Sequence, residues 1–198
     1  MTDDLKIEQG KTFSLIVRWA TLPFVYAAIT AITKAAPAVI TSSAHGVPDG
    51  WRVAVVSAGG MRQINAKNTP PRSTDYRRAT VPDTSTVALN DVNSTNYSTY
   101  TSGGYLQYKT PVDLTGFTAR MSIKDVVGGT ELLRLDTTNA RIVLDNAAKT
   151  ITLTIAAADT AAITWLEGVY DLELVSGSGV VSLVMSGAVT VDTEVTTT

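Results

Sequence analysis

The residues that could do chemistry are few and poorly matched to one another. His45 is the single histidine and cysteine is absent, which removes thiol nucleophiles, disulfides and zinc–thiolate sites. A metal site or a base-assisted nucleophile needs partners around the histidine. His45 sits in Ala44-His45-Gly46 ahead of a turn, where a structural role is expected. The nearest carboxylate grouping is Asp159, Glu167, Asp171 and Glu173. A glycosidase needs two carboxylates about 5–9.5 Å apart in a cleft. Asp159 instead reads as a helix or turn cap. Asp171 and Glu173 alternate with Leu172 and Leu174, which puts them on the outward face of a strand. No catalytic, cofactor-binding or metal-ligating residue is assigned, no cofactor is expected, and the chain is not expected to be an enzyme.

Three other groupings bear on binding. Arg72, Tyr76, Arg77 and Arg78 form the one basic and aromatic concentration, in a stretch with two prolines. Arginine and tyrosine are common interface anchors, so these four are the candidate partner-docking loop. The same loop could touch DNA or a surface glycan, or be solvated. Gly59-Gly60 and Gly103-Gly104 are not phosphate loops, because no helix follows to present its N-terminus; they read as turns. Tyr97, Tyr100, Tyr105 and Tyr108 could make an aromatic ligand platform or pack a sheet face.

The elements that must position these residues are strands. Threonine, valine and glycine dominate and helical periodicity is nearly absent, as in an all-β protein. Phe13, Leu15, Val17 and Trp19 share one face of a first strand over 12–19, and Pro23 breaks the run. Residues 28–33, 39–41, 51–57, 86–89 and 104–108 read as short strands, with 65–78 a long exposed loop. Further on, 116–124, 131–135, 141–144, 150–155, 168–175, 180–185 and 188–195 read as strands at near-regular spacing, with one helical turn in 156–163. That pattern indicates a β-sandwich.

The later strands fall one short of a comfortable sandwich, and the strand at 12–19 has no companion. Pairing them gives one discontinuous sandwich from residues 5–25 and 110–198, with a small domain of residues 26–108 inserted after its first strand. Insertion at a loop tip is physically cheap. The other parsing places two domains in series. A net charge of −2 does not advertise a nucleic-acid partner. The N-terminus Met1-Thr2-Asp3-Asp4 lacks a signal-peptide profile. The apolar run at 19–32, interrupted by Pro23, falls short of the ~20 residues of a membrane span. A soluble chain made in a cytoplasm is expected.

Two resemblances add to this reading. Gln9-Gly10-Lys11-Thr12-Phe13, Asp113-Leu114-Thr115-Gly116-Phe117 and Gly168-Val169-Tyr170-Asp171-Leu172-Glu173-Leu174 resemble the immunoglobulin-like N-terminal domain of phage baseplate upper proteins. The inner residues Ala44-His45-Gly46-Val47, Gly50-Trp51-Arg52-Val53, Gly60-Met61-Arg62-Gln63-Ile64-Asn65 and Tyr100-Thr101-Ser102-Gly103-Gly104 resemble the small β-barrel-like FCCH domain. That domain is named from ubiquitin-activating enzymes and is also found in phage structural proteins. The Arg/Pro stretch at 67–78 departs from it, being longer than the usual tight turn. Together the resemblances imply an all-β protein with an Ig-like antiparallel sandwich, serving as a structural virion component of a tail, baseplate or neck. Its implied partners are other virion proteins and further copies of itself in a homo-oligomer on the particle, and its implied location is the virion, after synthesis in the host cytoplasm; from charge and the short apolar run, no membrane partner is expected and a nucleic-acid partner is not favoured. The alternative is a host-surface glycan-binding module of a tail.

Overall fold

The structure, a computed structural model, describes residues 3–194. Met1 and Thr2, and Val195 at the end of the last expected strand, lie outside the described residues. The chain is 46% strand and 6% helix, with several antiparallel sheets, some curled into half-barrels. It divides into two compact units, one from the chain up to Trp19 and from Asp113 onward, the other Ala20–Val112.

In chain order, β1 (Leu5–Glu8) and β2 (Phe13–Val17) belong to the outer unit. The inner unit then supplies β3 (Ala20–Ala28), β4 (Ala31–Ile32), β5 (Ala38–Thr41) and β6 (Arg52–Val56). It closes with β7 (Arg77–Thr80), β8 (Thr86–Leu89) and β9 (Tyr105–Pro111). The outer unit resumes with β10 (Thr118–Lys124), β11 (Glu131–Asp136), β12 (Ile142–Asp145) and β13 (Thr150–Ile155). Helix α1 (Ala157–Ala161), β14 (Glu167–Val175) and β15 (Val181–Asp192) complete it.

The outer unit holds a sheet of order β1-β15-β14-β10-β11 and another of order β12-β13-β2. Taking β2 as strand B and β10 to β15 as C, C′, D, E, F and G reproduces the D-E-B and C′-C-F-G sheets of an immunoglobulin sandwich. Strict alternation does the work: Met121 and Ile123 of β10, Leu172 and Leu174 of β14, and Ile151, Leu153 and Ile155 of β13 are all buried. Tyr170 stands two residues before Leu172, the position where antibody domains carry a disulfide cysteine. Its hydroxyl donates to the Asp3 carbonyl at 2.6 Å.

Three expectations need correction. The sandwich has two strands ahead of the inner unit, because β1 pairs in parallel with β15 from Leu5↔Val189 to Glu8↔Asp192. The strands expected at 180–185 and 188–195 are one twelve-residue strand. Gly187 lies within it, paired with Tyr170, and is glycine where any Cβ would overlap the Asp3 carbonyl. Pro23 does not end a strand either: β3 runs through it with a register shift between Thr21 and Phe24, a bulge of the kind that accommodates proline. Residues 20–25 and 110–112 accordingly belong to the inner unit, all but Val112 of them in its strands.

The inner unit is one antiparallel sheet of order β3-β9-β6-β7-β8-β5-β4. Val53, Val55, Ala79, Val87, Leu89, Leu106 and Tyr108 point to its core together with Trp51 and Met61. Its incoming and outgoing strands pair with each other from Ala20↔Pro111 onward. The chain therefore leaves and rejoins the sandwich between strands B and C through two adjacent backbone positions.

Candidate interaction face of the inner sheet

Since neighbours across strands share a face, the pairings lay out the surface opposite the inner core. Phe24 lies beside Lys109 and Arg52 beside Arg78; Tyr26 lies beside Gln107, and Gln107 beside Ala54; Ala28 lies beside Tyr105, and Tyr105 beside Val56. Tyr76 directly precedes β7 at the end of this array. Strands β3 and β7 are separated by β9 and β6, so their backbones stand ~14 Å apart. Yet the Phe24 and Tyr76 rings stack with centroids 6.4 Å apart and planes 17° apart. Both side chains must lean inward across the sheet, and beneath them Ala54 and Gln107 are only 1% and 3% exposed. Beside this bridge Tyr26 and Tyr105 meet edge to face at 6.2 Å. They remain open, 55% and 46% exposed.

The result is an aromatic surface of four rings rimmed by the exposed cations Arg52, Arg78 and Lys109. Arg52 is positioned by donating to the Tyr76 carbonyl at 2.8 Å. The Tyr76 hydroxyl oxygen is buried without a hydrogen-bond partner among the described residues. Burial pushes its ionisation upward, with smaller contributions from Tyr26 and Asp75.

The four residues of the expected docking loop do not form one patch. Residues 65–78 are less a free loop than expected, since they follow a 3-10 turn at Arg62–Ile64, contain another at Ser73–Asp75 and run into β7. Asp75 organises them: its carboxylate accepts from the backbone of Arg72 at 2.8 Å, the Asn68 side chain at 2.9 Å and the backbone of Lys67 at 3.1 Å. Those bonds, the Arg72 one foremost, hold its carboxyl below the usual range. Arg72 is exposed at the turn. Tyr76 turns onto Phe24. Arg77 pairs with Asp91 at 3.1 Å, and Arg78, on the opposite side of the strand, joins the aromatic face.

The other singled-out residues have structural partners. The Val47 amide donates to His45 Nδ1 at 3.0 Å, so the ring proton sits on Nε2, which donates to the Asp83 carbonyl at 3.1 Å. Tyr108 is buried with its hydroxyl on the His45 carbonyl. The Tyr100 hydroxyl lies 2.9 Å from the Ile29 and Gly103 carbonyls. Each glycine pair lies against the backbone next to the other, Gly59-Gly60 on residues 99–102 and Gly103-Gly104 on Ser57 and Ala58, with Gly59 N–H donating to the Ser102 carbonyl at 2.8 Å. A Cβ on Gly60, whose φ is +74°, would overlap the Thr99 carbonyl. Of the carboxylates, Asp159 caps no helix: α1 has no side-chain cap, and Asp159 pairs with Arg141 at 2.8 Å. Glu173 pairs with Arg120 at 2.8 Å, and Asp171 is exposed on the same strand.

Sequence reasoning missed Phe24, Tyr26, Arg52 and Lys109. It also averaged away a charge division. The inner unit carries eight lysines and arginines against four aspartates, a net +4, while the rest of the chain carries eight against fourteen carboxylates, a net −6. Dividing the count at the unit boundaries exposes this directly. Compared with known protein families and with characterised proteins, the sequence matches none.

Proposed function

We propose that the protein is a structural component of a bacteriophage virion, in the tail, baseplate or neck, acting as an assembly or adaptor subunit through protein–protein contacts. The observation that carries the assembly role is the aromatic face of the inner sheet. Four rings with arginine at their rim have the composition of an interface centre, in which tyrosine, phenylalanine and arginine are enriched. The sandwich supports this reading as a rigid scaffold with open strand edges at β11, β12 and β2, to which a neighbouring strand could add. The phage context rests on the resemblances of the sandwich and inner-unit segments.

Quantitative mass spectrometry of purified particles tests the proposal. Several copies per particle, in a ratio reflecting particle symmetry, are expected; absence from the particle overturns it. A second reading is favoured by the open Tyr26–Tyr105 pair, whose exposed rings suit the apolar face of a sugar. Glycan-array binding lost on Tyr26→Ala would support that module instead.

A further inference from the structure

We infer that the aromatic face of the inner sheet docks on the acidic sandwich of a second copy of this chain. The inference rests on the assembly role proposed above and adds its partner. The argument is the charge division. The inner unit has four more cations than carboxylates, and the sandwich six more carboxylates than cations. Three of the inner unit's eight cations, the exposed Arg52, Arg78 and Lys109, stand at the rim of the rings.

The sandwich excess is also localised. Asp171 on β14 lies directly opposite Ser122 on one side and Ser186 on the other, in a groove it shares with Glu173, Arg120, Lys124 and Arg134. Asp3 donates its amide to the Ser186 carbonyl at 3.0 Å, and Asp4 accepts from the Ala188 amide at 3.0 Å. The Asp4 carboxylate and Asp171 thus both lie beside residues 186–188 of β15, and Asp3 and Asp4 are both close enough to Tyr170 to push its ionisation up. Elsewhere on the sandwich most carboxylates near cations are already paired, as Glu173 is with Arg120 and Asp192 with Lys6.

Opposite charges on two different surfaces of one chain make a heterologous contact. Such contacts propagate into rings or filaments rather than stopping at a two-fold dimer. Complementary charge sets partner choice and register, and the buried rings supply the affinity.

The test is light scattering of the intact chain, at about 20 mM and about 500 mM salt, where screening lengths differ several-fold. Two charge-reversed variants accompany it: Arg78→Glu with Lys109→Glu, and Asp3→Lys with Asp171→Lys. The wild type is expected to form species larger than a dimer at low salt, with association at least ~10-fold weaker at high salt. Each variant alone is expected to stay monomeric. Mixed, they are expected to associate again beyond a dimer, because the two retained surfaces attract each other and so do the two reversed ones. Circular dichroism establishes that both variants are folded. Association unaffected by either reversal overturns the inference, as does binding of the face to heparin or DNA without self-association. A wild type monomeric at both salt levels that still comigrates with particles overturns the copy-to-copy contact and leaves the assembly role standing. Failure of both removes both.

Discussion

Replacing Tyr76 by phenylalanine should stabilise the inner unit, the reverse of the usual outcome for a half-buried tyrosine. The hydroxyl is buried without a partner, while the ring is held by its stack on Phe24. A buried polar group left unsatisfied costs about 1–3 kcal/mol, and removing it recovers part of that cost. A gain of about 1 kcal/mol is expected once the small void left by the oxygen is allowed for. In a unit of this size that raises the midpoint of thermal unfolding by about 4–8 °C. Tyr108→Phe is the internal control. That hydroxyl donates to the His45 carbonyl, so its loss should lower stability by about 1–2 kcal/mol. Urea unfolding of both variants, followed by tyrosine and tryptophan fluorescence, reads the difference. The reasoning fails if Tyr76→Phe lowers the midpoint as Tyr108→Phe does.

Gly60→Ala should destabilise the inner unit by about 3 kcal/mol, combining a left-handed backbone with overlap on the Thr99 carbonyl; an unchanged urea midpoint would contradict the packing described. Replacing residues 20–112 by about four glycine and serine residues should leave a sandwich that unfolds cooperatively, because Ala20 and Pro111 are paired neighbours ~5 Å apart. Its urea m-value should fall to about half, and an unfolded product would count against the insertion. Tyr170 is pushed up to about 12, chiefly by burial and then by the charges of Asp3 and Asp4. Its folded form therefore holds a proton that the unfolded chain releases near pH 10, so sandwich stability should decline from about pH 10 through 12. Tyr170→Phe should flatten that decline, which equilibrium unfolding at several pH values would detect.

How much of this was legible in the sequence depends on range. Strand texture was, since alternations such as Met121 and Ile123, or Leu172 and Leu174, are local statements about one face. So was the α1 turn within 156–163. Short β1 was not, because Leu5 and Ile7 make too brief a pattern and their partner lies some 180 residues away. Pro23 misled for a related reason: a bulge lets a strand continue where local rules end it. The interaction face was hidden more thoroughly. Phe24, Tyr26, Tyr76 and Tyr105 come from three separate stretches, and only the β3–β9–β6–β7 pairing brings them together. Tyr76, attractive in the sequence beside its arginines, turned inward. Its neighbours Arg77 and Arg78 were split between opposite sides of a strand, as alternation requires.

We propose that the chain assembles onto a phage particle through the aromatic face. The most direct test is cosedimentation of the purified chain with particles from the same source, comparing wild type with the double variant Tyr26→Ser, Tyr105→Ser. Both rings are exposed, so the variant should fold with an unchanged melting profile. The expected result is wild type in the particle fraction and the variant left at the top of the gradient. Wild type remaining unbound, or both chains sedimenting equally well, would contradict the account.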